Sequence, residues 1–291
     1  MQAGDDKINC RAELKSAPGG AAQGGSAQPR AIGEVRLGAK PMPQGTALAA
    51  LRQSGAFKAL FPRRTDRALE AILVNTAGGL TGGDRFSTQI EAQADSHLRV
   101  TTQAAERAYR SQPGACACVR NRLVAGPGAR LDWVPQETIV YDGAALDRRL
   151  VANLAEDARL LVVEPVLFGR VAMGERLRSA SFRDGIEINR GGAPLYRDAV
   201  RLEGDIAAQL SRPAVAGGAA AMASLIYVAP DAEAQLAPLR ALLPAAAGAS
   251  VIRPGVLALR LLAPDGYDLR QVLVPVLRRL TNDALPRSWM T

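Results

Sequence analysis

A loose repeat of about thirty residues constrains the fold more than any other feature of this sequence. Three segments resemble one another: 90–100, 123–133 and 153–162. Their turn residues Asp95, Gly128 and Asp157 lie 33 and 29 positions apart. Around them apolar and polar residues alternate, as along residues 85–92, and this alternation is typical of strands with one buried face. The spacing predicts stacked hairpins in two facing layers, or a coil of strands.

Composition and hydrophobic patterning divide the chain into three parts. Residues 1–30 are rich in Gly, Ala, Ser and Gln and are predicted to form a disordered tail, because they offer little apolar surface to offset the entropy lost on ordering. Strand patterning dominates residues 31–204, which we predict to form a β body. Residues 205–291 mix helical and strand patterns, and we predict a small C-terminal α/β subdomain there.

The C-terminal patterns are local enough to place individual elements. Strands are predicted at 222–228 and within 250–263, and helical spacing appears at 231–243 and 267–280. Pro275 is expected to bend or break the second helix, because proline lacks the backbone N–H that a helix needs.

Composition narrows the classes of protein. The chain has 291 residues, 48% of them hydrophobic, but no apolar run of the roughly 18 residues that a membrane span requires. No signal peptide is recognised, and three cysteines do not make a secreted disulfide framework, so we expect a cytoplasmic protein. The net charge of +8 invites a nucleic-acid interpretation, but only 4% of residues are aromatic and no dense basic block occurs. Arginines on solvated faces and protein interfaces explain the charge better.

A glycine-rich segment follows an apolar run that ends at Val74. Residues 75–84 read NTAGGLTGGD, so Gly78, Gly79, Gly82 and Gly83 are followed by the carboxylate of Asp84. Glycines permit close backbone approach and conformations that other residues avoid. The segment is either a built site or a tight corner between two strands, and the sequence leaves both open.

Several reaction chemistries are disfavoured. His97 is the single histidine, it occupies a polar slot expected to be exposed, and no multi-histidine metal site or G-x-S-x-G elbow exists. The glycine segment lacks the endings of nucleotide-binding loops. Cys116 and Cys118 share one face of a strand, where they either hold a thiophilic metal or pack as small apolar side chains, and packing is favoured.

Carboxylates are better candidates for functional residues than thiols in this sequence. Those beside the distinctive motifs are Asp84, Glu106, Glu137, Asp142, Glu164, Glu175 and Asp198. Glu164 lies inside an apolar run, so it must be paired, protonated or ion-bound. If it is paired, one of the many arginines, such as Arg107 or Arg170, is the expected partner. Thr101 and Thr102 face opposite sides of a strand, and one hydroxyl must point inward.

Eight motifs in order and register resemble the urease accessory protein D family, called H in some bacteria. They are GAFKALFPR (55–63), NTAGGLTGGD (75–84), TTQAAER (101–107), YRS (109–111), WVPQETIVYDG (133–143), FGR (168–170), MGE (173–175) and LPR (285–287) followed by Trp289. The resemblance implies an elongated, two-layered β-helical body. We interpret Trp133 and Trp289 as packing anchors.

The resemblance also implies a function. It implies a non-enzymatic urease maturation factor that joins accessory proteins F and G, the latter a GTPase, on apo-urease. The complex loads nickel, a transient cargo, with no tightly bound cofactor. Our hypothesis is that Asp84, Thr102, Glu164 and Glu175 line or gate an internal nickel passage, and that Gly78, Gly79, Gly82 and Gly83 shape its bend. Two alternatives stay open: a plain scaffold without metal transit, and a carbohydrate-active β-helix enzyme using two carboxylates.

Overall fold

The structure, a computed structural model, describes residues 29–63 and 66–290. Its strands are β1 (Ile32–Met42), β2 (Gly45–Gly55), β3 (Phe57–Leu60), β4 (Leu69–Asn75), β5 (Arg85–Ala92), β6 (His97–Thr102), β7 (Glu106–Ala108), β8 (Ala117–Ala125), β9 (Arg130–Trp133), β10 (Thr138–Val140), β11 (Ala145–Leu154), β12 (Arg159–Phe168), β13 (Ala180–Arg190), β14 (Ala193–Gly204), β15 (Ala221–Val228), β16 (Ala247–Arg253) and β17 (Val256–Ala263). Its α-helices are α1 (Ile206–Leu210), α2 (Ala232–Arg240) and α3 (Gly266–Thr281). Apart from residues 29 and 30, the predicted N-terminal tail lies outside the described residues. Within the described ranges, no helix combines the length and apolar character needed to cross a lipid bilayer.

The strands of the described residues form two sheets, of seven and ten strands. Sheet A has the order β14-β13-β11-β8-β5-β1-β2, and sheet B runs β16-β17-β15-β12-β9-β6-β4-β3, with β7 and β10 attached beside β12. Strands β1, β5, β8, β11 and β13 are parallel to one another, as are β4, β6, β9 and β12. Between β4 and β13 the chain passes back and forth between the sheets, which makes a β-helical coil. The predicted mainly β, two-layered fold is confirmed.

The thirty-residue repeat is the repeat of this coil. Leu98 pairs in register with Leu131, and Leu131 with Leu160. The preceding turns also stack, because the Gly128 N–H donates to Asp157 Oδ1 at 2.9 Å. Asp95, like Gly128, has a positive φ, at 58°. Each repeat therefore contributes one turn and one strand of sheet B at equivalent positions.

The core lies between the two sheets, where the alternation directs the apolar side chains. In sheet A the buried rung consists of Leu37, Ile90, Leu123, Ala152 and Ile188, which are successive partners across the strands. The buried leucines of sheet B face it from the other layer. Removal of this apolar surface from water is the main favourable contribution to folding of the coil.

The C-terminal region continues sheet B. Strands β15, β17 and β16 add antiparallel to β12, and α2 and α3 pack on the outer face of these strands. Helix α3 begins after Asp265, whose side chain accepts from the Asp268 N–H, and it continues through Pro275. Pro275 does not break α3, because buried Leu269, Leu273 and other apolar residues hold the helix against the sheet. A bend at Pro275 stays a prediction. The division at 204/205 stays a prediction.

A buried ion cluster fastens the outer face of sheet B to the end of α3. Asp132 accepts from His97 Nε2 at 2.7 Å and from Arg130 Nε at 3.0 Å, and Arg99 lies 4.0 Å away. Arg130 also donates to the Leu280 carbonyl at 2.9 Å. Burial by itself raises the pKa of Asp132, but Arg130, the hydrogen bond from His97 and Arg99 together outweigh it and hold the pKa well below its usual range.

Asp132→Asn is expected to reduce the free energy of unfolding by about 3 kcal/mol at pH 7, because it leaves buried cations without their carboxylate. A depressed pKa stabilises the fold above the unfolded value of about 3.9, and this contribution is lost as pH falls through the folded value. The difference in the free energy of unfolding between wild type and variant, measured by urea unfolding, should therefore decrease below about pH 4. Glu187→Gln, in an exposed ion pair, is the control and should cost about 1 kcal/mol or less. A gap that stays constant with pH would contradict this assignment.

Candidate functional site

The glycine-rich segment is a tight corner between β4 and β5. A Cβ at Gly79 would lie 2.3 Å from the Tyr109 ring, and one at Gly82 would lie 2.7 Å from the Ala115 carbonyl. Gly79 also has φ +152°, which L side chains rarely adopt. Gly79 and Gly82 are therefore needed for close packing against the next coil, whereas a Cβ at Gly78 would meet no atom within 4 Å.

Asp84 holds this corner closed. Its Oδ1 accepts from the Ala31 N–H and its Oδ2 from the Thr81 N–H, both at 2.8 Å, and the residue is buried. Both carboxylate oxygens are engaged by backbone donors, so this residue joins the start of β1 to the glycine corner.

The family-like motifs are successive rungs of one ladder. Leu80, Ala108, Val140 and Phe168 are parallel neighbours along the coil. Their spacings of 28, 32 and 28 residues equal one coil each. The residues that follow each rung, including Tyr109 and Tyr141, come together at the same end of the β body. The rings of Tyr109 and Tyr141 meet edge to face at 5.0 Å.

A cavity of about 250 Å³ lies between the two sheets beside this ladder. Inner residues of sheet A and of sheet B line it, and it reaches the surface at the exposed residues Gly78, Gln103, Ala104 and Arg107. Its polar lining includes Asn75, Thr88, Thr102, Glu106, Asn121, Gln136, Thr138, Arg148 and Glu164. The size admits several water molecules or a hydrated ion.

Glu164 forms the inner end of the cavity in a buried ionic network. Arg148 Nη1 lies 2.6 Å from Glu164 Oε2, and Arg148 donates two further hydrogen bonds to Asp184 at 2.9 and 2.7 Å. Trp133 Nε1 donates to Glu164 Oε1 at 2.9 Å. The expected pairing with an arginine is observed, but the partner is Arg148, which crosses the interior from β11. Arg107 and Arg170, the two examples named from the sequence, both lie at the surface.

Two carboxylates compete for one guanidinium in this network. Burial is the largest cause that raises the pKa of Glu164, and Asp184 also raises it, whereas Arg148 and the Trp133 hydrogen bond lower it; the net effect raises the pKa to about 7. Glu164 therefore exchanges a proton near neutral pH.

Glu106 and Thr102 lie nearer the cavity mouth. Glu106 Oε2 accepts from Asn75 Nδ2 at 3.0 Å, and burial raises its pKa. Thr102 lines the cavity and its hydroxyl accepts from the Gln136 N–H at 2.9 Å. Thr101 points to the other face of sheet B, where its hydroxyl lies 3.4 Å from Ser288 Oγ. Thr102 is thus the inward-facing threonine of the pair.

Glu175 lies on the surface beside the ladder rather than in the cavity. Its carboxylate accepts from Arg170 Nε at 2.9 Å and from the Asp142 N–H at 3.2 Å. Arg170 holds its guanidinium 4.5 Å from the centre of the Tyr141 ring. Asp142 pairs with Arg110 at 2.8 Å. These hydrogen bonds lower the pKa of Glu175, with that from Arg170 as the largest cause.

The other candidate residues lie apart from the cavity. Cys118 is buried in β8, and burial raises the pKa of the half-buried Cys116. Glu137 pairs with Arg270 and Asp198 with Arg260. Across residues 29–63 and 66–290, no three His, Cys, Asp or Glu side chains are grouped so that they could hold a metal ion.

His97 differs from the sequence expectation. It is half-buried and bonded to Asp132, where an exposed side chain was expected. Burying the carboxylate of Asp132 requires a nearby donor, and His97 supplies it.

The structure thus brings Thr102 and Glu164 into one cavity and places Asp84 and Glu175 outside it. It adds three lining residues that sequence reasoning missed: Thr88, Asn121 and Arg148. Each is a polar residue at an inward position of an alternating strand, as Asn121 is between Val119 and Leu123. A polar side chain in an apolar slot was the signal that could have found them.

Comparisons with known proteins agree with the motifs. A sequence model described as UreD urease accessory protein matches residues 31–290. A urease accessory protein UreD of Roseobacter denitrificans is 52% identical over 262 residues, covering 90% of this chain and 96% of the relative. Proteins of the same name are 54% identical in Ruegeria pomeroyi (84% and 95% covered) and 45% identical in a Methylobacterium species (90% and 95% covered).

Proposed function

The chain belongs to the UreD urease accessory protein family, and from this premise we propose that it is a non-catalytic maturation factor that helps to load nickel into apo-urease. In this proposal it acts in the cytoplasm and bridges accessory proteins F and G, of which G is a GTPase, to apo-urease. The names of its relatives support a role in urease maturation. Nickel is its transient cargo.

The observation that carries the proposal is the polar cavity between the sheets. Glu164 forms its inner end, and Thr102 and Glu106 line it toward the mouth. Nickel binds tightly to nitrogen and sulfur ligands, whereas carboxylates, hydroxyls and water hold it more loosely. Conduction requires sites that an ion can also leave. An oxygen-lined cavity suits passage better than storage.

The proton on Glu164 is part of this proposal. A carboxyl group with a raised pKa releases its proton near neutral pH when a cation approaches, and it takes the proton back when the cation leaves. Arg148 also donates two hydrogen bonds to Asp184, so in this proposal Glu164 is the member of the ionic network whose charge changes.

Asp84 and Glu175 enter the proposal as residues that hold the walls of the route. Asp84 closes the glycine corner formed by Gly78, Gly79, Gly82 and Gly83, and Gly78 borders the mouth. Glu175 fixes Arg170 beside Tyr141 at the surface near that mouth.

A plain scaffold is the second candidate function. The 2.6 Å ion pair between Glu164 and Arg148 favours it, because a carboxylate held by a guanidinium is a weaker ligand for a passing cation. In this case the β body bridges its partners and nickel never enters the cavity.

Co-expression of urease with its accessory proteins, with and without this chain, tests the maturation role. We expect urease purified without the chain to contain little nickel and to have little activity, and re-expression of the chain to restore both. Nickel per urease is measured by atomic emission on the purified enzyme. Equal nickel content with and without the chain would contradict the maturation role, whether the chain is a passage or a scaffold.

A further inference from the structure

An exposed arginine and aromatic surface lies beside the mouth of the cavity. We name it the rim, defined by Arg107, Tyr109, Arg110, Arg170 and Met173. Met173 is 75% exposed and Tyr109 36% exposed, which is high for large apolar side chains on a β body. Arg107 lines the cavity, and the Tyr109 hydroxyl donates to the Gly78 carbonyl at the mouth, at 3.4 Å. A partner that contacts Arg107 and Tyr109 therefore lies against the mouth.

The rim is held in place before any partner arrives. Glu175 fixes the guanidinium of Arg170 over Tyr141, and Asp142 fixes Arg110 while accepting from the backbone N–H groups of Arg178 and Ser179. Met173 ends a short 3-10 turn that is followed by Gly174 in the left-handed conformation. Ordered side chains lose less entropy on binding, so such a surface gains affinity from being preformed.

The composition of the rim matches that of protein interfaces. Tyr, Met and Arg are enriched in interface cores, and Tyr and Arg dominate binding hot spots. The neighbouring loop adds exposed Arg176 and Arg178. Among the described residues of this surface, the arginines thus outnumber the carboxylates Asp142 and Glu175, which are themselves paired with Arg110 and Arg170.

We propose that the rim binds an acidic segment of a partner protein, which places that partner against the cavity mouth at Arg107 and Tyr109. The excess of guanidinium groups is complementary to carboxylates on the partner. The exposed Met173 can pack against an apolar side chain beside those carboxylates. This inference rests on the proposed function, because it specifies where a partner in urease maturation docks and what chemistry it presents.

Charge reversal of the rim tests the proposal. The variant Arg107→Glu/Met173→Glu changes two exposed side chains and leaves the ion pairs of Arg110 and Arg170 intact. The matched control Arg52→Glu/Arg122→Glu changes two exposed arginines of sheet A, on β2 and β8. Binding of full-length chains to purified accessory protein F, accessory protein G and apo-urease is measured separately, at low and high salt. Arg107→Lys, which keeps the charge, tests whether charge alone is needed.

We expect the rim variant to bind one of these proteins at least tenfold more weakly, with a reduced salt dependence, while the control and Arg107→Lys bind as wild type does. The rim proposal would be overturned if the rim variant bound all three proteins as strongly as wild type does. The maturation role would still stand if the wild-type chain promoted nickel loading in the same experiments. A wild-type chain that does not promote loading would overturn the maturation role, and the rim proposal with it. Rim-dependent binding to a duplex oligonucleotide, with protein binding unaffected, would assign the rim to nucleic acid instead.

Discussion

Replacing Arg148 with Met is expected to lower the free energy of unfolding by about 3–5 kcal/mol, because it leaves two buried carboxylates without their cation. The total stability of a domain is roughly 5–15 kcal/mol, so the loss is a large part of it. Arg148 reaches across the interior from sheet A to Glu164 of sheet B, and Asp184 lies beside it in sheet A. The ion pair between Arg148 and Glu164 therefore connects the two sheets at the cavity, where few apolar side chains are in contact. Unfolding in urea at pH 7 measures the effect.

The free energy of unfolding lost in Arg148→Met is expected to increase with pH. Without Arg148, the pKa of Glu164 is raised still further above its unfolded value. A carboxyl group whose folded pKa is raised destabilises the fold as pH rises toward that pKa, since the charged form is disfavoured when buried. Arg148→Met should therefore be less destabilising at pH 5 than at pH 8.

The neighbouring Arg149 supplies the control. Its side chain points outward, is 58% exposed and pairs with Glu187 on the surface. Arg149→Met should change stability by about 1 kcal/mol or less. Combining Arg148→Met with Glu164→Gln and Asp184→Leu removes the ionic network altogether and should recover part of the loss. Equal losses for Arg148→Met and Arg149→Met would show that the buried network does not stabilise the fold.

Much of the fold could be predicted because its determinants are local and periodic. Alternation along each strand decides which side chains face the core, and the turn residues Asp95, Gly128 and Asp157 mark the coil. The register of Leu98, Leu131 and Leu160 follows from those turns. The motifs recur at the same interval because each one supplies a rung of the same ladder.

The partners of the candidate residues could not be predicted, because they are distant in sequence. Asp84 binds the Ala31 N–H, 53 positions away, and this contact depends on how β1 joins sheet A. Glu164 faces Arg148 because β11 and β12 lie in opposite layers, and strand patterning does not show which inward positions meet across the core. Whether Glu175 points into the interior was equally open, since loop conformations follow from tertiary contacts.

The two functional hypotheses differ in whether nickel enters the cavity. The mouth offers a position where this can be tested without touching a charged group. Ala105 lines the mouth, lies in the loop between β6 and β7 and is half-buried. An indole placed there occupies the space through which an ion would pass, while Glu106, Thr102 and the Arg148 network keep their contacts.

The matched control is Ala50→Trp, which adds the same side chain to the exposed strand β2, away from the mouth. Both variants are first compared with wild type for assembly with apo-urease and the accessory proteins. A crystal structure of the Ala105 variant shows whether the indole fills the mouth. Assembly must be intact for the loading measurement to report on passage rather than docking.

Nickel bound per urease active site, after activation by Ala105→Trp, is the most direct measurement. If nickel passes through the cavity, the assembled variant loads at least tenfold less nickel than wild type, and Ala50→Trp loads normally. Normal loading by a variant whose mouth is filled would contradict an internal passage and leave this chain the role of a scaffold.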